Sequence, residues 1–285
     1  MGSNSPLIVI GMHRSGTSLV ARILEGMGAF MGRQVNQLHE AVFFLAVNRR
    51  LFALAHARWD YPGPVEVMLE RLETERWLRE ELVGWLARVV GSQEARAYWP
   101  QQLWGMLGRA GVGELAEAMG GPWGWKDPRN TYTLGLWLKL WPEARVVHVY
   151  RNGVDVAQSL RRRERAYRAP LDQEVFSFRC LELEGGFGLW AEYGAKARAW
   201  VEALGRVRAF EVCYERLLTE PAGVLQELGA WAGLKPTEQK LRELAGQINP
   251  ERAWAFRRQE QLVAFYEQVK DHRLMRELGY GELAL

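Results

Sequence analysis

The sequence predicts an α/β fold of three layers (αβα), in which a central parallel sheet lies between helices. Short apolar runs without polar alternation recur along the chain, as is typical of strands buried on both faces. Segments with helical periodicity separate these runs, and this order favours parallel strands joined by helices. The predicted strands are Leu7–Ile10, a segment around Trp123–Trp125, Arg145–Tyr150 and Val207–Cys213.

One large domain over residues 1–285 accounts for the length of the chain. Hydrophobic residues make up 48% of the sequence, which is enough for a sizeable core. Residues 33–120 carry helical periodicity without a strand signal, so we expect a large helical insertion there. Residues 232–285 are predicted to form a helical C-terminal extension.

Longer helices are predicted between and after the later strands. Pro142 ends a helix over Leu134–Trp141, because proline cannot continue the helical hydrogen bonding. A long helical stretch covers Asp172–Leu204, and we expect the Gly185–Gly186 pair to kink it. A further helix is predicted over 219–231, with a proline in its first turn.

The charge composition bears on the kind of ligand. The formal net charge of +3 is too small to predict nucleic-acid binding. The chain has 31 arginines and 6 lysines. Arginine binds phosphate and sulfate through two parallel hydrogen bonds, which suits an anionic ligand. A codon bias toward arginine explains the same ratio equally well, so the count alone does not distinguish an anionic ligand from a codon bias.

Cysteine usage and hydropathy bear on the cellular setting. Cys180 and Cys213 are the only cysteines, and they lie far apart in apolar surroundings. We therefore expect neither a disulfide nor a metal site, and a cytoplasmic location. No window approaches the ~18 uninterrupted apolar residues of a membrane span, so no span is predicted.

The segment directly after the first strand has the outline of a phosphate-binding loop (P-loop). Gly11 and Gly16 are separated by four residues, and an amphipathic helix follows. Thr17 stands where nucleoside triphosphatases carry a lysine, and the positive charge is instead on Arg14. Backbone N–H groups at the start of a helix bind phosphate readily. The residues predicted to form this anion site are His13, Arg14, Ser15, Gly16, Thr17 and Ser18.

A second anion motif follows the third predicted strand. Arg151 ends the strand, and Ser159 comes eight residues later on the next predicted helix. Two helical turns aim the Ser159 hydroxyl back toward the strand end, where it can share one phosphate with Arg151. We expect Asp155 to cap or orient this turn rather than to contact a ligand.

These two motifs, in this order and each after an apolar strand, resemble those of bacterial-type sulfotransferases that use 3′-phosphoadenosine-5′-phosphosulfate (PAPS). The resemblance covers Leu7 to about Trp231. It implies that the loop with Arg14 holds the 5′-phosphosulfate and that Arg151 with Ser159 holds the 3′-phosphate. It further implies PAPS as donor and 3′,5′-bisphosphoadenosine (PAP) as product. No cluster of metal-ligating residues in the sequence implies a metal. The acceptor, a hydroxyl or amine of a small molecule, carbohydrate or lipid, is left open, as is the oligomeric state.

The resemblance also suggests catalytic residues. Relatives place a catalytic glutamate in the region of Glu40, and His39 is the neighbouring alternative for the base. Lys126, in the segment Trp125–Arg129, resembles a residue near the acceptor that helps to neutralise the sulfuryl group. A structural turn in which Lys126 pairs with an aspartate is an equally good explanation.

Two further binding residues are implied by position. Tyr214 lies in a strand-to-helix segment where relatives pack a tyrosine near the adenine, although core packing explains it as well. Arg258, beside Arg257, stands where relatives carry a basic C-terminal loop for the 3′-phosphate. The basic run Arg161–Arg165 is typical of a solvated helix end, or it draws an anionic cofactor toward the cleft.

Two other functions compete with this hypothesis. A P-loop kinase or NTPase requires the loop lysine, which is absent, and an aspartate that holds Mg²⁺ at the end of a second strand. Asp127 is the candidate for that aspartate, but it lies in a Lys-Asp-Pro-Arg segment with a simpler structural explanation. A non-catalytic protein that binds the nucleotide without turnover is the other alternative.

Overall fold

A computed structural model describes residues 5–172 and 175–283. Its centre is a four-stranded parallel sheet in the order β2-β1-β3-β4, which confirms the predicted fold class. β1 is central, and its residues Leu7 to Ile10 pair with Arg145 to His148 of β3. The strands are β1 (Leu7–Ile10), β2 (Gly124–Lys126), β3 (Arg145–Tyr150) and β4 (Ala209–Cys213).

Helices follow or connect the strands throughout the described part of the chain. They are α1 (Thr17–Gly26), α2 (Val42–Leu54), α3 (Pro64–Thr74), α4 (Arg76–Val90), α5 (Val112–Met119), α6 (Asn130–Leu140), α7 (Gly153–Ala166), α8 (Leu183–Arg208), α9 (Tyr214–Thr219), α10 (Pro221–Ala232), α11 (Glu238–Gly246), α12 (Glu260–Val269) and α13 (Arg273–Glu277).

The side chains of β1 show why three layers form. Leu7 and Val9 point into one hydrophobic core together with α1 and α10. Ile8 and Ile10 point into a second core together with α2, α4 and α6. Because successive side chains of a strand face opposite sides of the sheet, an uninterrupted apolar strand has to be covered on both faces.

The region 33–120, all of which is described, contains helices α2 to α5 and short 3₁₀ turns but no strand. It packs on the sheet through aromatic residues. The ring of Phe44 stacks on Trp125 at a centroid distance of 3.9 Å and meets Trp137 edge-on at 5.4 Å. Aromatic contacts of this kind add to the free energy of burial. Whether this region is an insertion within one domain stays a prediction.

The expected kink at Gly185–Gly186 is wrong. Both glycines lie in the first turns of α8, where the backbone is helical, and the non-helical residue is Gly205, with φ 65°. A Cβ added at Gly185 would lie 1.9 Å from the carbonyl oxygen of Arg179. The pair therefore permits close packing of α8 on its neighbours. The predicted helix over Asp172–Leu204 starts too early, because the α-helix begins at Leu183 and continues to Arg208; residues 173–174 lie outside the described residues.

Cys180 is buried and Cys213 half-buried, and both are free thiols. In the described part of the chain, no helix combines the length and the apolar character that crossing a membrane requires.

Replacing Phe44 by alanine tests the aromatic packing between α2 and the sheet. Because Phe44 is fully buried against several rings, we expect Phe44→Ala to lower the free energy of unfolding by about 3–5 kcal/mol. Urea unfolding followed by tryptophan fluorescence measures this change. The matched control is Phe178→Ala, at a phenylalanine that is 68% exposed, and it should cost less than about 1 kcal/mol. Equal losses in the two variants would contradict the packing described.

Candidate active site

The loop after β1 is held by its own side chains. Ser15 Oγ lies 2.7 Å from the carbonyl oxygen of Met12 and 3.0 Å from that of Val149, at the end of β3. Gly11 has φ 132°, and a Cβ there would lie 2.2 Å from the same Val149 oxygen. Arg14 also adopts a left-handed backbone, with φ 70°. The loop is thus tied to the neighbouring strand, and the Ser15 hydroxyl is used within the protein.

The N-terminus of α1 is open toward a cleft. Gly16 is its N-cap, with φ 99°, and supplies no capping side chain. The first N–H groups of a helix have no intrahelical acceptor and carry partial positive charge. Thr17 and Ser18 line the cleft beside them, and Ser18 Oγ donates to the Leu38 carbonyl oxygen at 2.6 Å. This helix end is suited to bind an anion.

The cleft lies over the carboxyl ends of β1 and β3 and contains two adjoining cavities of about 540 and 510 Å³. The first is bordered by the loop, α1 and the segment 37–40. The second extends along α7 toward α12. Residues that border both cavities are Arg14, Arg151, Ser159, Arg163, Tyr214 and Arg252.

The two predicted anion motifs meet in this cleft. Arg14 Nε donates to Ser159 Oγ at 2.9 Å, so the loop after β1 contacts the helix after β3. The Arg151 guanidinium lies 4.7 Å from the centre of the Tyr214 ring. Burial, with the charges of Arg163 and Arg151 nearby, lowers the pKa of Arg14. The concentration of cations makes this cleft attractive to an anionic ligand.

Of the two roles expected for Asp155 in the turn that presents Arg151, capping and orienting, the structure agrees with the second. Asn152, not Asp155, caps α7, since Asn152 Oδ1 accepts the N–H groups of Val154 (3.0 Å) and Asp155 (3.4 Å). Asp155 orients the neighbouring groups instead. Its Oδ2 lies 3.4 Å from Arg151 Nη2, and its Oδ1 accepts the N–H of Phe256 at 2.9 Å.

Glu40 and Lys126 form a buried ion pair at the edge of the larger cavity. Glu40 Oε1 lies 3.2 Å from Lys126 Nζ, and the two side chains are 5% and 1% exposed. Burial lowers the pKa of Lys126, while the negative charge of Glu40 opposes that shift. His39, the alternative base, points instead toward Glu25, with 3.2 Å between Nε2 and Oε2. The geometry therefore favours Glu40 over His39.

His13 is buried at the end of the same cavity. Its ring meets Trp59 edge-on at a centroid distance of 5.0 Å. Burial, followed by the positive charge of Arg129, lowers the pKa of His13 well below its ordinary value. The imidazole is thus neutral near pH 7. Among the surrounding cations it is suited to form a hydrogen bond with a ligand rather than to neutralise a ligand's charge.

Asp127 belongs to a buried network behind the cleft. Its Oδ1 accepts the backbone N–H of Arg129 at 3.0 Å, and its Oδ2 accepts Asn48 Nδ2 at 2.9 Å. Its side chain is fully buried, and Asp127 is not one of the described residues that border the cleft. This arrangement does not favour Asp127 as the magnesium ligand of a kinase or NTPase.

The basic residues near the C-terminus differ from the prediction. Arg258 donates to the carbonyl oxygen of Glu251 and does not border the cleft, and Arg257 stacks on Trp254 at 4.8 Å. Arg252 is the residue of this segment that borders both cavities. Arg252 was not predicted as a site residue, because no local motif distinguishes it from Arg257 and Arg258.

The run Arg161–Arg165 is not a simple solvated helix end. Arg161 and Glu164 are buried, and the Arg163 guanidinium lies 4.5 Å from the centre of the Trp59 ring while it pairs with Glu164. Arg162 and Arg163 border the cleft. The geometry therefore favours the other alternative, in which this run attracts an anionic ligand.

Comparison with known proteins decides the family. A model of the sulfotransferase family matches residues 6–239. The chain belongs to the sulfotransferase family. Comparison with curated proteins finds no match.

Solved sulfotransferase structures resemble this fold. The sulfotransferase domain from the curacin biosynthetic pathway is 16% identical, with a TM-score of 0.51 over 98% of this chain and 99% of that one. The sulfotransferase domain of the Synechococcus PCC 7002 olefin synthase is 16% identical, with a TM-score of 0.49 over 100% and 90%. Sulfotransferase STF9 from Mycobacterium avium is 14% identical, with a TM-score of 0.47 over 95% and 78%. At such identities, the likeness to the curacin-pathway domain supports the fold alone.

A pair of glycine variants tests the close approach of the loop to Tyr214. A Cβ at Gly16 would lie 2.2 Å from the Tyr214 ring, whereas a Cβ at Gly28, which has a similar φ of 103°, meets no described heavy atom within 4 Å. Both Gly16→Ala and Gly28→Ala incur the backbone strain of a positive φ, about 1–3 kcal/mol. We expect Gly16→Ala to be less stable by about a further 1–3 kcal/mol, because the Tyr214 ring has to move. Urea unfolding of both variants measures the difference, and equal losses would contradict the contact.

Proposed function

We propose that this sulfotransferase transfers a sulfuryl group from PAPS to a hydroxyl or amine of an acceptor. The observation that carries the proposal is the placement of Arg14 and Arg151 along one cleft, which Ser159 also borders while it accepts a hydrogen bond from Arg14. PAPS has anionic groups on both sides of its ribose, and guanidinium groups bind phosphate and sulfate through paired hydrogen bonds.

The residues present fit such a donor. The open N-terminus of α1, with Arg14, suits the 5′-phosphosulfate. Arg151, Ser159 and Arg252, which border the same cavity, are suited to bind the 3′-phosphate. Tyr214 borders the cleft, and Leu218, Ile248 and Asn249 add apolar and amide groups beside it that suit an adenine. When bound, the donor supplies an electrophilic sulfur and a bisphosphate leaving group.

The remaining chemistry is proton transfer and neutralisation of charge. We assign Glu40 as the base that accepts the proton of the attacking hydroxyl, because its carboxylate borders the cavity near the loop. Lys126, 3.2 Å from Glu40, and Arg14 lie where they would neutralise charge that develops during transfer. Positioning and electrostatics of this kind supply most of the rate enhancement in group-transfer sites.

The acceptor is proposed only by class: a small molecule, carbohydrate or lipid. Gln37, Leu38 and Glu40 border the cavity from the start of the region 33–120, which supports a part for this region in shaping the acceptor site. The two free cysteines support a cytoplasmic location.

Variants of the two arginines separate donor binding from turnover. We expect Arg151→Ala to weaken PAP binding about 10-fold or more, since a hydrogen bond to a charged group is lost. Arg14→Ala should lower turnover about 10²–10³-fold, because it removes a charge beside the reacting group. Calorimetry with PAP measures the first effect. Release of PAP from PAPS, with 4-nitrophenol, N-acetylglucosamine and dodecanol as acceptors, measures the second.

Two C-terminal arginines serve as controls for these variants. Arg252→Ala should weaken PAP binding, whereas Arg258→Ala should leave it unchanged, because Arg252 alone of the two borders the cleft. Unaltered PAP binding in both Arg14→Ala and Arg151→Ala would contradict the proposed division of roles.

The substitution Glu40→Gln tests the assignment of the base. It keeps the shape of the side chain but removes the carboxylate, so transfer should fall about 10²–10⁴-fold while PAP affinity changes little. The same turnover and calorimetry measurements apply. An active Glu40→Gln variant would remove Glu40 as the base. A wild-type chain that binds PAP and transfers nothing to any acceptor would instead favour a non-catalytic protein.

A further inference from the structure

The loop that carries Glu40 is built around the side chain of Asn36. Asn36 Oδ1 accepts the backbone N–H groups of Leu38 at 2.9 Å and of Glu40 at 3.0 Å. The backbone N–H of Asn36 donates to the Glu40 carbonyl oxygen at 3.0 Å. An isolated antiparallel bridge between Val35 and Ala41 closes the loop. The backbone at Glu40 is therefore fixed by contacts that converge on Asn36.

The same side chain also holds the Glu40 carboxylate. Asn36 Nδ2 donates to Glu40 Oε2 at 2.8 Å, while Lys126 Nζ lies 3.2 Å from Oε1. A carboxylate offers about four lone-pair positions, so each oxygen keeps room for a further proton donor. Because the carboxylate is buried between two donors, its rotamer is restricted while it borders the cavity.

The loop separates the two residues that the sequence left as alternatives. His39 has a left-handed backbone, with φ 59°, and its N–H donates to the Asn36 carbonyl oxygen at 2.9 Å. This turn directs the imidazole toward Glu25 on α1, 3.2 Å away. The turn closed by Asn36 thus presents Glu40 to the cavity and turns His39 away from it.

We propose that Asn36 is a positioning residue for Glu40: it holds the loop and donates the hydrogen bond that orients the carboxylate. The inference rests on the proposed role of Glu40 as the base. A base has to lie within hydrogen-bond reach of the proton that it accepts, so holding the Glu40 carboxylate in one orientation serves that role.

The substitution Asn36→Asp tests the hydrogen bond without removing the turn. An aspartate oxygen can still accept both backbone N–H groups, but the N–H donor facing Glu40 Oε2 becomes a carboxylate oxygen. Two carboxylates this close repel each other when both are ionised, so the pair keeps one shared proton to a higher pH than a single carboxyl group does. We expect kcat at pH 7 to fall about 10–100-fold and to recover as the pH rises, with PAP affinity within about two-fold of wild type. A rate loss that is the same at every pH would overturn the inference.

Gln34→Glu is the matched control for charge. Gln34 is exposed on the same loop, outside the residues that border the cleft, so the added carboxylate should leave the pH profile unchanged. A shift as large as that of Asn36→Asp would mean that any negative charge on the loop produces the effect, and the inference would fall.

A stability measurement tests the same contact without turnover. In Asn36→Asp, the folded pair binds a proton more tightly than the unfolded chain. The Tm relative to wild type should therefore fall as the pH rises through the apparent pKa of the pair. In a Glu40→Gln background this dependence should disappear, and its persistence would show that the side chain at position 36 does not face Glu40.

The outcomes also separate the inference from the proposed function. A wild-type chain that binds no PAP, or that transfers no sulfuryl group, contradicts the proposed function. A wild-type chain that does both, with a pH profile unaltered by Asn36→Asp, contradicts only the role of Asn36.

Discussion

The parallel pairing of β1 with β3 is the constraint on which the site depends. Because the two strands run side by side in one direction, both end at the same edge of the sheet. Ser15 Oγ, 3.0 Å from the Val149 carbonyl oxygen, ties the loop after β1 to the end of β3. The sheet therefore sets the relative positions of Arg14 and Arg151, and the two arginines do not depend on long flexible loops to meet.

A layer of buried charges lies beneath the cleft, where β2 ends. Lys126, Asp127 and Arg129 follow one another closely and are almost fully buried. Burying charges is unfavourable unless they are paired, and buried ion pairs add little net stability. Here the charges are paired, with Glu40 on Lys126 and Arg129 on Asp127. Of these three residues, Lys126 is the one that borders the cleft among the described residues.

Much of the fold could be predicted because its signals are local. Leu7–Ile10 is a continuous apolar run, and the spacing of Gly11 and Gly16 marks the loop. What could not be predicted depends on contacts between distant segments. The choice of Arg252 over Arg258 is one case, since it follows from how the C-terminal segment packs on α7. Likewise, no spacing rule marks the hydrogen bonds that Asn36 makes around Glu40 in an irregular loop.

A crystal structure with PAP would show whether one nucleotide contacts both cationic motifs at once. We expect the 5′-phosphate at the N-terminus of α1 beside Arg14, and the 3′-phosphate between Arg151 and Ser159. PAP bound outside this cleft, or held by only one of the two arginines, would contradict it.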